Sequence, residues 1–212
     1  MAKQIKEKKS INTKRIQEIV NYDLSLGMLV NPNIKQQLVL NPIGAGIALS
    51  TLKKLREELD SYEIVLEQID CNRIFGYGTE LTESEIFVRT ISDHAYYRND
   101  YDKIVEVKEL DKDFPRVERE KIANEIEDEI RKEYRKIETV GKLNKTLRRT
   151  CETKIEELSR ELRDILKTLE VPTEDYINNR FFLMAESKIK EIKNRLNSKI
   201  TYLENSGVEE IK

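Results

Sequence analysis

The chain of 212 residues has a formal charge of −2, with 37% charged residues, 38% hydrophobic residues and no Trp. An average domain sits nearer a quarter charged, so apolar material for a wide core is scarce, and seven Gly with four Pro exclude collagen, low-complexity linkers and a turn-rich β-sandwich. Two cysteines far apart, Cys71 and Cys151, make neither a disulfide framework nor a metal pair, which points to a reducing, cytoplasmic setting.

Charge is uneven along the chain. Residues 1–15 hold six bases and one acid, a basic arm, and residues 16–110 hold nine bases against sixteen acids. The arm suits either a solvated terminus or a segment that tracks phosphates. No apolar run follows Lys3, Lys6, Lys8 and Lys9, so no secretory signal is expected. In residues 24–52 only Lys35 is ionised, but Pro32, Pro42, Gly44 and Gly46 interrupt the stretch. It therefore reads as buried loops and short helix, the core of the N-terminal half, and not as a membrane span.

From Ala48 the apolar positions Leu52, Leu55, Leu59, Tyr62, Leu66 and Ile69 follow at alternating steps of four and three, a heptad seam. The segment from Asp70 to Gly78, with Gly76 and Gly78 around Tyr77, reads as a turn. Thr82 and Glu85 form a capping box, flanked by the staple pair Leu81 and Ile86, and predict a helix from about Glu83 to Arg98. Residues 101–110 are ambiguous: Ile104–Lys108 alternate like a short strand, yet the surroundings favour helix.

After Pro115 a stripe from Ile122 to Leu169 advances with a mean step of about 3.6, the period of a straight helix. Its phase runs through Gly141. One continuous helix of about 80 Å is therefore expected, although the glycine offers a place to stop. Val171-Pro172-Thr173 is a hinge with Thr173 as cap, and Ile177, Phe181, Ala185, Ile189, Ile192, Leu196, Ile200 and Leu203 form the seam of a last helix ending before Gly207. The expected architecture is all-α: a basic arm (1–15), an N-terminal helical body (16–110) and a long antiparallel, coiled-coil-like hairpin (111–212). In it the long helix over-reaches its partner and leaves seam for a second copy, so a homodimer is expected.

Chemistry-bearing motifs are few. There is no phosphate-binding glycine loop, and one His cannot build a His-rich metal site, so neither cofactor nor metal is expected. One cluster stands apart: Arg89, His94 and Tyr96, in a run that holds the only His of the chain. On a helix Arg89 and His94 would be offset by about 140°. A guanidinium and an imidazole meeting across a symmetric dimer would hold a phosphodiester and move a proton at a 2′-hydroxyl. At these residues the chain resembles the HEPN superfamily of helical, usually dimeric ribonucleases, through the pattern Arg-x4-His-x-Tyr. The run from His94 through Tyr97 to Asp100, followed by Asp113-Phe114-Pro115, is similar to one toxin branch of it. The resemblance spans about 30 residues and implies a metal-independent ribonuclease, a toxin or defence effector, with Arg89, His94 and Tyr96 catalytic.

A second feature is a basic belt. Residues 131–149 hold eight bases and two acids, and on one helix Arg131, Arg135, Lys142, Lys145 and Arg149 would share a sector of about 80° beside the apolar stripe. Such a belt suits solvent, an acidic protein partner, the acidic half of the same chain or the phosphates of nucleic acid. The leading functional expectation is a non-catalytic interaction protein, a scaffold or inhibitor that presents long amphipathic helices to a protein partner. The alternatives are the HEPN-like ribonuclease and a nucleic-acid-binding helical protein. The Ile- and Lys-rich composition suits a low-GC bacterium or its phage.

Overall fold

The structure is a computed structural model that describes residues 8–27, 42–141 and 144–211, without the side chains of residues 140 and 141. The fold is all-α: among the described residues there are eight helices and one pair of two-residue strands. The chain divides into two compact units, Met1–Ala95 with Asp175–Lys212, and Tyr96–Glu174. The boundary expected near residue 110 thus falls inside a helix, and the last helix groups with the N-terminal segment.

In the first unit, α1 (Thr13–Gly27) starts at Asn12, whose side chain accepts the Arg15 backbone N–H at 2.8 Å. α2 (Pro42–Leu59) buries Ala48, Leu52, Leu55 and Leu59, the first half of the expected seam. The helix stops there, which corrects the longer expectation. Ser61 turns the chain, and Tyr62–Glu63 (β2) pairs in parallel with Lys9–Ser10 (β1). The supposed turn at 70–78 contains a short helix, α3 (Cys71–Phe75), because the Asp70 side chain caps it by accepting from the Asn72 N–H at 2.8 Å. The basic arm is partly committed to its own chain: Lys8 pairs with Glu63 at 2.8 Å, and Arg15 grips Glu58 with two bonds of 2.9 Å. Residues 1–7 of the arm lie outside the described residues, as do 28–41 of the weakly charged stretch.

α8 (Glu174–Asn205) completes this core. All eight of its expected seam positions are buried, and Phe181 meets Phe75 with ring centroids 6.0 Å apart. Gly207 ends the helix at φ 75°: its N–H bonds to the Glu204 carbonyl and the Val208 N–H to that of Leu203, a Schellman closure that needs the left-handed residue. The chain then returns to α2, where Ser50 Oγ donates to the Ile211 carbonyl at 2.6 Å. α1 is fastened to α8 by Asp23, only 1% exposed, which takes hydrogen bonds from Arg195 Nε at 2.8 Å and from Lys199.

The capping box of α4 (Glu83–Ile91) is present as expected. The helix is shorter than expected, however, since the chain leaves helical geometry at Ser92 (ψ 151°) and α5 (His94–Asp113) starts afresh. Residues 101–110 are helical within it.

In the second unit the single 80 Å rod is replaced by two helices. α6 (Arg116–Lys136) gives way to a π-helical turn, Ile137–Gly141, and α7 (Lys145–Leu169) restarts under Asn144. The Asn144 side chain accepts from the backbone N–H groups of Thr146 and Leu147, both at 3.1 Å, so the new helix has its own cap. α6 and α7 pack on each other as an antiparallel hairpin, with Lys154 reaching back to Glu133 at 3.2 Å and Glu129 at 3.5 Å. The hairpin is therefore α6–α7, not a long helix against α8. Its seam is thin: Ala123, Ile126, Cys151 and Ile155 are buried, while Leu158, Leu162, Ile165 and Leu169 are only half-buried. Near the start of α6, buried Arg119 donates to the Phe114 carbonyl at 3.1 Å and pairs with Asp111, tying α6 to the end of α5.

Candidate functional site

The hairpin concentrates charge that sequence spread along one rod. Arg131, Lys132, Arg135 and Lys136 lie in the last turns of α6; Lys145, Arg148 and Arg149 lie in the first turns of α7. Because the helices run antiparallel, both stretches come to the closed end of the hairpin. The expected belt residues Arg131, Arg135, Lys145 and Arg149 are all exposed, but they sit on two helices rather than in one sector of a single helix. Lys142 lies outside the described residues.

These bases are not equivalent. Arg131 is held by Glu127 and Asp128, both at 3.2 Å, and Arg148 by Glu152 at 2.8 Å. Lys136 and Lys154 both point at Glu133, at 2.7 and 3.2 Å. Among the described residues no ion pair engages Lys132, Arg135, Lys145 or Arg149, and Glu138 is the one carboxylate of residues 131–149 outside these pairs.

Sequence reading missed the cluster around Glu133. This carboxylate is buried, and hydrogen bonds from Lys136, Cys151 and Lys154 pull it down to about 2 from its ordinary 4.5. Burial, with the Glu133 carboxylate beside it, pushes the Cys151 thiol up, so the sulfur stays protonated and donates. The signal for this cluster was Asn144. A good cap residue eight positions after the last base of α6 is what lets Glu133 and Cys151 meet.

Arg89 and His94 do not share a helix face. Arg89 is in the last turn of α4 and exposed, with no side-chain partner among the described residues; His94 opens α5. His94 is half-buried, its ring 5.2 Å from that of Phe75, and Nε2 lies 3.2 Å from the Ile74 carbonyl. A carbonyl only accepts, so Nε2 is the donor in this contact. Tyr96 is exposed and stands edge-on to Tyr97, centroids 5.2 Å apart. The 140° relation expected of Arg89 and His94 is thus removed by the break at Ser92.

No group of three or more His, Cys, Asp or Glu among the described residues is placed to hold a metal ion. None of the described helices is long and apolar enough to cross a membrane. Compared with known proteins, the chain matches no family model, no curated protein and no solved structure.

Proposed function

We propose that this chain is a non-catalytic helical interaction protein that works through the half-covered seam of α7, with a second copy of itself as the first occupant and a protein partner engaged by the paired helices. The observation that carries the reading is the run Leu158, Leu162, Ile165 and Leu169: four large aliphatic side chains on one helical face, each only half-buried. Two helices cannot enclose a stripe about 100° wide on each of them, and a third element closes it. A two-fold antiparallel pairing centred on Leu162 brings Glu157 level with Lys167 and Arg160 level with Asp164, so copies meet with opposite charges. Sedimentation of the full chain tests this. A dimer is expected at micromolar concentration and a monomer for Leu162→Glu with Ile165→Glu; a wild-type chain that stays monomeric overturns the self-association.

A second reading is the HEPN-like ribonuclease, favoured by Arg89 standing unpaired beside the break that His94 closes. It requires RNA cleavage without added metal, and loss of that cleavage in His94→Ala with helicity unchanged.

A further inference from the structure

α8 carries a second stripe beside its buried seam. Phe182, Glu186, Ile189, Lys190 and Lys193 recur at steps of three and four, so they share one face of the helix. That face and the chain at β2 bound a hollow of about 450 Å³, within the size range of small-ligand sites. Its apolar wall is Ile64 and Ile189, 7% and 8% exposed, with half-buried Phe182. Of its charged groups, Lys8 is held by Glu63 at 2.8 Å and Lys193 by Asp60 at 2.7 Å. Glu186 and Lys190 are the two that remain. Both are exposed, and among the described residues no ion pair or hydrogen bond engages either. A Glu four residues before a Lys is the order that most favours a direct bridge on a helix. Here the bridge is not made, and both side chains are open to a third group lying between them.

We propose that this hollow binds a free α-amino acid with an apolar side chain. The Lys190 ammonium takes the α-carboxylate, the Glu186 carboxylate takes the α-ammonium, and the ligand's side chain lies against Ile64, Phe182 and Ile189. The charge in the hollow selects a zwitterion. Its free groups are one cation and one anion, so a ligand of either sign alone leaves one of them facing it unanswered. The closed pairs Lys8–Glu63 and Lys193–Asp60 add no surplus that would favour an anion. Spacing agrees: the two free residues stand one turn apart, a rise of about 6 Å, and both side chains are long enough to meet charges carried on a single carbon. The wall selects the side chain. A wholly polar zwitterion would leave Phe182 and its neighbours in water, whereas an aliphatic or aromatic group covers them. None of these residues belongs to α7, so the site stands apart from the pairing proposed above.

The experiment is titration of the isotope-labelled full chain with L-leucine, read from the amide NMR signals of residues 62–64 and 182–193. Saturation is expected with a dissociation constant of about 1 mM, as suits so small a ligand. N-acetyl-leucine keeps only the carboxylate and leucinamide only the ammonium, and they also stand for a leucine at either end of a peptide. Each is expected to bind at least about fivefold more weakly than leucine, and glycine, which lacks the side chain, likewise. Glu186→Gln should weaken leucine by at least about fivefold and leave N-acetyl-leucine unchanged. Lys190→Met should weaken leucine equally and leave leucinamide unchanged. Both substitutions fall on exposed helix surface, and amide signals unchanged elsewhere show the fold intact. No saturable shift at tens of millimolar leucine would overturn the assignment. So would equal binding of glycine or of either blocked form, unaltered affinity in the two variants, or equal loss of leucine and its blocked form in a variant.

Discussion

α8 and α7 carry the same kind of pattern and meet different fates. Along α8 the seam from Ile177 to Leu203 is buried throughout, because α1, α2 and α3 supply side chains against it: Asp23 from α1, Phe75 from α3, and ion pairs such as Lys53 with Glu204 at 2.7 Å from α2. Along α7 the equally regular run from Cys151 to Leu169 is buried only for its first two positions, opposite α6. A helical period reveals which face is apolar. It does not reveal how many neighbours that face will find.

The contrast can be broken first in the core. Phe181→Ala should cost about 4 kcal/mol in denaturant unfolding, because a fully buried ring leaves a cavity that its neighbours cannot fill. Leu162→Ala, at a half-buried position, should cost about 1 kcal/mol in the isolated chain. Equal losses at the two positions would erase the distinction between the helices. Next comes the buried ion cluster. Asp23→Ala should cost about 3 kcal/mol, since Lys199 would be left buried without its counter-charge. A neutral result in thermal or chemical unfolding would show that α1 is held to α8 by apolar contact alone.

The smallest effect belongs to the hairpin and sharpens the comparison by pH. Glu133 is held at about 2 by its lysine partners and Cys151, against an ordinary 4.5. A carboxyl group whose value is lowered on folding stabilises the fold fully above its unfolded value and loses that contribution as pH falls through the folded one. The α6–α7 pairing should therefore hold steady above pH 4.5 and loosen progressively toward pH 2, read by amide exchange at residues 126–155. In Glu133→Gln that pH dependence should vanish while the signals of α1 and α8 stay unchanged.

Much of the secondary structure is legible in the sequence, and the reasons it fails are local. The capping box at Thr82 and Glu85, the hinge before Glu174 and the Gly207 stop are each set by a few adjacent residues, and each stands where the residues place it. The continuous rod over 115–170 does not stand. Ile137 and Leu147 keep the 3.6 period across the gap, so periodicity masks the break, while the Asn144 cap that starts α7 is a single-residue signal of the opposite sense. The same kind of signal, Ser92-Asp93, separates Arg89 from His94. Of the candidate site, the excess of bases in 131–149 is visible from the start. Which bases are free is not, because that depends on the i,i+3 and i,i+4 carboxylates each rotamer reaches and on Glu133 meeting Lys154 across the turn.

The Asp23 fastening joins residues 172 and 176 positions apart in the chain. On the ribosome, α1 therefore emerges long before α8, with Asp23 still awaiting Arg195 and Lys199. Residues 96–174, whose pairings are local, can complete their fold in that interval. Once residue 174 has emerged, the nascent protein is a finished middle attached to an open beginning until α8 follows, the stage at which a chaperone has something to hold.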